Sequence, residues 1–188
     1  MQNLNKEDIA LVLQGIKTGN LFLLPTDIGY EIICDGTNSA AIDKVLKLLK
    51  VSLSHNYSLI VSHIDQIGRY TRELPEVAEE LFAVASSPLI LVLPTVTGLP
   101  HLLILEKDKA PFRIVSEGIV FAVAQKFNRP LLAIPASGNF NTTPKEFSSV
   151  SKDILSEIAH IESSSNIHFQ SPSIIELGFS GEVKIIRN

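Results

Sequence analysis

The stretch Leu23-Leu24-Pro25-Thr26-Asp27-Ile28-Gly29-Tyr30 decides how the rest of the chain is interpreted. In it an apolar run ends at a proline and small or polar residues follow, which is typical of a buried strand that stops at a turn. We therefore expect Thr26 and Asp27 to lie at a strand end, where side chains can face a ligand. The other elements are interpreted as the scaffold of that turn.

The composition indicates a folded protein. The chain has 188 residues, of which 45% are hydrophobic, and this length can bury a sizeable core. We expect one domain over residues 1–188. The formal net charge of -4 predicts no general attraction to nucleic acid or to anionic lipid.

The cysteine content and the N-terminal residues predict the compartment. Cys34 is the only cysteine, so no internal disulfide can form. The first residues carry acids where a signal peptide needs bases, and no apolar run is long enough to cross a membrane. We expect a soluble, cytoplasmic protein that does not contact the membrane. No cysteines and histidines have the spacing of a zinc site, so no metal is expected.

Hydrophobic periodicity predicts short strands and helices in mixed order, without a strict alternation of the two. The segment 118–127 fits a helix or a strand by periodicity alone, and its length and the following Asn128-Arg129-Pro130 favour a helix. The order of the elements predicts an α/β or α+β fold with a mixed sheet. Strands are expected at 21–24, 32–34, 58–61, 89–93, 102–105, 112–115, 131–134, 174–175 and 183–186, and the other helices at 6–17, 39–49, 65–70, 76–84 and 150–161.

Several enzyme classes are excluded by their missing motifs. The glycines never take the spacing of a nucleophile elbow, a P-loop or a dinucleotide-binding turn. The five histidines are isolated, and His55 is the strongest candidate among them because it follows Lys50 in a polar segment.

Polar residues at the ends of predicted elements are the remaining candidates for a site. They could converge on one pocket, where lysine and arginine would suit a phosphate or a carboxylate. Alternatively, they only close turns and carry solvated charges, and spacing alone favours this second interpretation. The residues are Thr26, Asp27, Lys50, Arg113, Ser137 and Asn139.

Taken together, the motifs resemble those of the YrdC/YciO family over nearly the whole chain. The opening stretch with Cys34-Asp35 is similar to the family's first motif, and Phe112-Arg113-Ile114-Val115 to its arginine-containing strand. Residues 88–94 resemble its Pro-Gly-Pro strand, and 171–177 with 185–187 its terminal strand pair. The order Gly29-Tyr30 and residues 55–59 look more like the YciO branch.

The resemblance implies a fold and an activity. The fold would be a twisted mixed sheet flanked by helices, with a large concave cavity. The better-understood members make threonylcarbamoyl-AMP from threonine, bicarbonate and ATP for threonylcarbamoyladenosine in tRNA, and older descriptions call them double-stranded-RNA-binding proteins or translation factors. ATP, with or without Mg²⁺, would be a substrate, and no cofactor is implied.

The resemblance also implies which residues bind the substrates. Thr26, Ser137 and Asn139 would position the adenylate and threonine, Lys50 and Arg113 would bind anionic groups, and Arg187 would close the cavity. No catalytic nucleophile is implied. The full set of substrate- and nucleotide-binding residues is Thr26, Tyr30, Lys50, Ser52, Arg113, Ser137, Asn139 and Arg187.

The sequence also departs from the family pattern. The family's Lys-x-Arg pair reads Lys50-Val51-Ser52 here, a strand threonine is Ile90, and a glycine is Ser87. The Ser-Ala-Asn turn matches either 135–137 or, as we prefer, 137–139. Two hypotheses follow: an active enzyme of reduced activity, or a degenerate paralogue that only binds a nucleotide, a small anion or RNA. The acidic charge makes RNA the weakest of these ligands.

Overall fold

The structure is a computed structural model that describes residues 5–54, 56–162 and 169–187. The predicted candidate His55 lies outside the described residues. The strands are β1 (Phe22–Pro25), β2 (Tyr30–Asp35), β3 (Ser58–Val61), β4 (Leu89–Leu93), β5 (Ala110–Ile114), β6 (Leu131–Pro135), β7 (Ala159–His160), β8 (Ser173–Leu177) and β9 (Val183–Arg187). The helices are α1 (Lys6–Lys17), α2 (Ser39–Leu49), α3 (Ile64–Ile67), α4 (Glu76–Val84), α5 (Gly118–Phe127) and α6 (Lys152–Glu157).

All the described strands belong to one mixed sheet, whose order is β7-β1-β2-β6-β3-β5-β4-β8-β9. The pairs β1–β7, β3–β5 and β4–β8 are parallel, and the other neighbours are antiparallel. This architecture confirms the predicted class of a mixed sheet flanked by helices.

The helix ends follow the capping residues in the sequence. Asn5 accepts a 3.0 Å hydrogen bond from the Glu7 amide, which satisfies a free donor in the first turn of α1. Asn38 does the same for α2, because its Oδ1 accepts from the amides of Ala40 and Ala41. The predicted starts of both helices are therefore confirmed.

The two faces of the sheet are covered differently. One face packs against α2 and α4 in a large apolar core that includes Leu59 and Phe112. On the opposite face, α1 and α5 cover only part of the sheet, around Ile33 and Ala133. The remaining part, over β4 and β8, is covered by a small apolar cluster of Ile28, Ile90, Val92, Phe140 and Ile174.

Three sequence predictions for secondary structure are corrected. The strand expected at 102–105 is a 3₁₀ turn, His101–Leu103, in which the Leu103 amide bonds to the Pro100 carbonyl. The helix expected at 65–70 spans only Ile64–Ile67. The helix expected at 150–161 is limited to α6, because Ala159 and His160 leave it to pair with β1 at the sheet edge.

None of the helices in the described part of the chain is long and apolar enough to span a bilayer.

Candidate functional site

The turn between β1 and β2 is held against the chain around Pro144. The Thr26 amide donates to the Gly29 carbonyl at 2.9 Å, and the Tyr30 amide donates to the Pro144 carbonyl at 2.8 Å. Gly29 has φ +139, and a β-carbon there would lie 2.5 Å from the Pro144 oxygen. Only glycine fits this position, so the geometry of the turn depends on Gly29.

The hydroxyl of Thr26 is engaged inside the protein. Thr26 is 6% exposed. Its Oγ1 accepts from the Ile28 amide at 3.2 Å and lies 3.0 Å from the Gly29 carbonyl and 2.7 Å from Glu31 Oε2. Thr26 therefore links the turn to the Glu31 carboxylate.

Arg113, on β5, is paired with two carboxylates. Its Nη2 donates to Glu31 Oε2, and its Nη1 lies 3.3 Å from Asp27 Oδ1. The side chains of Arg113 and Glu31 are both fully buried, whereas 26% of the Asp27 side chain is exposed. The arginine predicted to bind an anionic ligand is thus neutralised by residues of this chain.

Burial and charge act in opposite directions on the two members of the buried pair. Burial raises the pKa of the Glu31 carboxyl, although Arg113 and the Thr26 hydrogen bond oppose the rise. For Arg113, burial lowers the pKa, but Asp27 and Glu31 raise it by more. The guanidinium therefore stays charged beside the two carboxylates.

The strand registers place Glu31 and Arg113 on one face of the sheet but in different rows. Arg113 pairs with Ile60, Ile60 with Leu131, and Leu131 with Asp35, which lies four residues after Glu31 on β2. β6 and β3 lie between the two strands. The two side chains therefore meet diagonally across this face of the sheet.

The strand registers place Arg113 and Arg187 on that same face. Arg113 pairs with Ile90, Ile90 with Ile174, and Ile174 with Arg187. Paired residues on neighbouring strands share a face, so two isoleucines separate the two arginines. Ile28 packs on these isoleucines. The floor between the two cations is consequently apolar.

Lys145 is a cation near this cluster that the sequence reasoning missed. Its Nζ donates to the Ile28 carbonyl at 2.5 Å and to the Gln170 carbonyl at 3.5 Å. Burial and the charge of Arg187 lower its pKa. Lys145 lies outside the helices and strands, one residue after Pro144, and no motif marks it. Only the tertiary structure identifies it.

A second group of predicted residues lies together at another position. The Asn56 side-chain amide donates to the Ser52 carbonyl at 3.3 Å and to the Gly138 carbonyl at 3.1 Å. This bridge joins the segment after α2 to the turn after β6. Lys50 and Ser52 are therefore near Ser137 and Asn139, and all four are exposed.

The turn after β6 is internally ordered. The Ser137 hydroxyl donates to the Asn139 carbonyl at 2.9 Å, and Asn139 Oδ1 accepts from the Asn141 amide at 2.8 Å. The Ala136 amide donates to the Tyr30 carbonyl at 3.0 Å. Through this bond the second group adjoins the turn that contains Thr26.

Tyr30 faces away from the buried arginine. Successive residues of a strand point to opposite faces, so Tyr30 and Glu31 diverge. Tyr30 is 3% exposed, and the centroid of its ring lies 5.6 Å from that of Phe147 and 6.0 Å from that of Phe169. The structure thus separates Tyr30 from Arg113, although both were predicted for one site.

A pocket of about 630 Å³ is lined in part by the turn between β1 and β2. Asp27 and Glu117 are the charged residues that line it, and no lysine or arginine of the described residues does so. Among the candidate residues predicted from the sequence, only Thr26 and Asp27 line it. Its walls come from residues 25–27, 85–89 and 114–118, with Phe82 and Gln170.

Comparisons with known proteins identify the family of the chain. The Sua5/YciO/YrdC family model, described as telomere recombination, matches residues 14–188. A threonylcarbamoyl-AMP synthase of Pseudoalteromonas translucida is 20% identical over 182 residues, which cover 95% of this chain and 97% of that protein. The threonylcarbamoyl-AMP synthase of Escherichia coli K12 is 23% identical over 138 residues, 72% of this chain and 73% of that one.

Solved structures show the same fold. P. abyssi Sua5 complexed with L-threonine superposes with a TM-score of 0.82 at 21% identity, over 94% of this chain and 52% of that chain. The chain therefore spans about half the length of Sua5. E. coli YciO superposes with a TM-score of 0.80 at 18% identity, over 100% of this chain and 91% of that one.

Proposed function

The chain belongs to the Sua5/YciO/YrdC family, and we propose that it is a nucleotide-binding protein of the threonylcarbamoyl-AMP synthase type with reduced activity. Its small-molecule ligands would be ATP, threonine and bicarbonate, and its product would serve tRNA threonylcarbamoyladenosine modification in the cytoplasm. The proposal is supported by the family match over residues 14–188 together with relatives that bear this name.

The proposed nucleotide position is at the end of β6, a central strand of the sheet. Four of the predicted residues lie together there: Lys50, Ser52, Ser137 and Asn139. Lys50 is exposed and adopts a left-handed backbone conformation, φ 54, that ends α2. From there its amine can reach a phosphate beside the turn after β6. Binding would act by orientation and charge, and no nucleophile of the protein would be needed.

Reduced activity is proposed because the cations that would stabilise a polyphosphate are few. Ser52 offers a neutral hydroxyl and cannot offset developing negative charge. Arg113 is paired with Glu31 and Asp27. The pairing of Arg113 with Glu31 is the observation that carries this part of the proposal.

The test is pyrophosphate release from ATP, measured with and without threonine and bicarbonate at high enzyme concentration. We expect slow release that requires both co-substrates. Lys50→Gln should reduce it, whereas Lys47→Gln, on the exposed face of the same helix, should not. Absence of any threonine-dependent pyrophosphate from the wild-type protein would contradict synthase activity.

The alternative is a degenerate paralogue that only binds a nucleotide, a small anion or RNA. It is favoured by the same pairing of Arg113 and by the exposed, neutral Ser52. Thermal stabilisation by ATP or AMP without turnover would support it, since a ligand that binds the folded state raises its stability. Threonine-dependent turnover in Ser52→Arg, where the wild-type protein had none, would establish loss of function at this position.

A further inference from the structure

The cluster around Arg113 has hydrogen-bonding capacity that its own residues do not use. Seven buried polar side-chain atoms of the described residues have no hydrogen-bond partner, and four of them belong to this cluster. Asp27 Oδ1 and Arg113 Nη1 lie 3.3 Å from each other in an ion pair. Glu31 Oε1 and Arg113 Nε have neither a hydrogen bond nor an ion pair of their own. Because buried polar groups are normally paired, these two atoms distinguish the position from the rest of the core.

The partners of Arg113 use only part of its binding capacity. A guanidinium has five N–H donors in a planar fork, which suits two oxygens of one carboxylate. Glu31 offers it a single oxygen, Oε2, which is also within 2.7 Å of the Thr26 hydroxyl. Glu31 therefore occupies Arg113 without matching its bidentate geometry.

The other cations near the cluster do not replace Arg113. Among the described residues it is the only fully buried basic side chain. Lys145, the nearest alternative, donates to the backbone carbonyls of Ile28 and Gln170. Arg187, whose Nη1 is buried without a hydrogen-bond partner, lies across Ile90 and Ile174 from Arg113. With Glu31 in place, the fully buried guanidinium of this face is therefore already occupied.

We propose that Glu31 determines the ligand specificity of this face, because its carboxylate holds on Arg113 the position that the carboxylate of an amino-acid ligand would take. Glu31 then competes with such a carboxylate for Arg113, and a smaller residue at position 31 lets the carboxylate bind more tightly. The identity of the competing ligand as threonine rests on the proposed function, but the occupation of Arg113 by Glu31 does not.

The first test is chemical rescue of Glu31→Ala at neutral pH. Acetate should raise the melting temperature of this variant in a saturable manner, beyond the effect of chloride at equal ionic strength. The wild-type protein should show no difference between the two salts. Glu31→Gln is the matched control, because its amide fills the same space and should block rescue.

If Glu31→Ala is too unstable to purify in its folded form, a refolding experiment replaces the melting measurement. The variant is diluted from urea into acetate or chloride, and acetate should give the higher folded yield. Equal effects of acetate and chloride, on both melting temperature and yield, would overturn the proposal. Acetate stabilisation of the wild-type protein equal to that of the variant would also overturn it.

The second test separates this inference from the proposed function. L-threonine should stabilise Glu31→Ala more than L-threoninol does, since only threonine has a carboxylate. If acetate rescues Glu31→Ala but neither threonine nor ATP binds the wild-type protein or the variant, the occupation of Arg113 by Glu31 is supported and the proposed function fails. If threonine stabilises the wild-type protein and Glu31→Ala equally, the proposed function stands and the role of Glu31 is wrong.

Discussion

The guanidinium of Arg113 donates to the carboxylate of Glu31 at a place where both side chains are fully buried. Removal of one member of such a pair leaves an uncompensated charge, which costs about 3–5 kcal/mol. Replacement of both members by uncharged groups of similar size is far less costly. The interaction should therefore appear as strong non-additivity between substitutions at the two positions.

We expect Arg113→Met to lower the free energy of unfolding by about 3–5 kcal/mol, because it leaves Glu31 and Asp27 unpaired. The double variant Arg113→Met/Glu31→Gln should recover a substantial part of this loss. Urea unfolding of the wild-type protein, both single variants and the double variant measures the coupling. Arg129→Met, which removes a 44% exposed partner of Asp35, is the control with a smaller expected loss. Additive effects would contradict the prediction.

The pH dependence of stability should report on Glu31. Burial raises its pKa above the ordinary value of 4.5. Between pH 4.5 and the raised pKa of the folded state, the folded protein binds more protons than the unfolded chain. The contribution of Glu31 to stability therefore falls as the pH rises from 4.5. Below 4.5 the carboxyl is protonated in both states, and this contribution is constant.

Glu31→Gln removes this titration. The free energy of unfolding of the variant, relative to that of the wild-type protein, should therefore increase as pH rises above 4.5. Urea unfolding between pH 4 and pH 7 measures the difference. Glu80→Gln, on an exposed position of α4, should keep the wild-type profile. Parallel profiles for Glu31→Gln and the wild-type protein would show that Glu31 does not carry the raised pKa.

Cys34 should be unreactive in the folded protein. Its side chain is fully buried on β2, and burial with the nearby Asp35 carboxylate raises the pKa of the thiol. Reaction with a thiol reagent requires an accessible thiolate. We expect no rapid labelling at neutral pH and one labelled thiol per chain in urea. Ser149→Cys, at an exposed position, should add one thiol that reacts at once, and rapid labelling of the wild-type protein would contradict the buried position.

Much of the fold could be predicted because local signals agreed with the tertiary structure. Asn5 and Asn38 mark helix starts by capping, and the apolar run before Pro25 marks a strand. The errors occurred where no local signal decides. Leu102 to Leu105 is apolar but lies after Pro100 in a 3₁₀ turn, and Ala159 becomes a strand residue only because β1 offers it an open edge.

The candidate site was predictable only in part. Lys50 and Ser137 were expected to converge, and the Asn56 bridge brings their segments together. Arg113 was expected to face a ligand, whereas Glu31, three strands away in the sheet, reaches it. Periodicity assigns Glu31 to a face, but it does not report which residue of a distant strand its side chain meets. That contact could not be derived from the sequence.

The stability of the turn that holds Thr26 should be sensitive to any substitution of Gly29. At φ +139 a β-carbon would lie 2.5 Å from the Pro144 oxygen and 2.6 Å from Thr143 Cγ2. Gly118 allows backbone strain to be separated from steric overlap. Its φ is also positive, at +81, but a β-carbon there would meet nothing within 4 Å.

Gly118→Ala should therefore cost only backbone strain, about 1–2 kcal/mol. Gly29→Ala should cost more, about 3 kcal/mol or above, because steric overlap adds to the strain and displaces the Pro144 carbonyl that accepts from the Tyr30 amide. Urea unfolding of the two variants compares the losses. Equal losses would mean that the turn is not held by its contact with Pro144, and Thr26 and Glu31 would then be positioned by the strands alone.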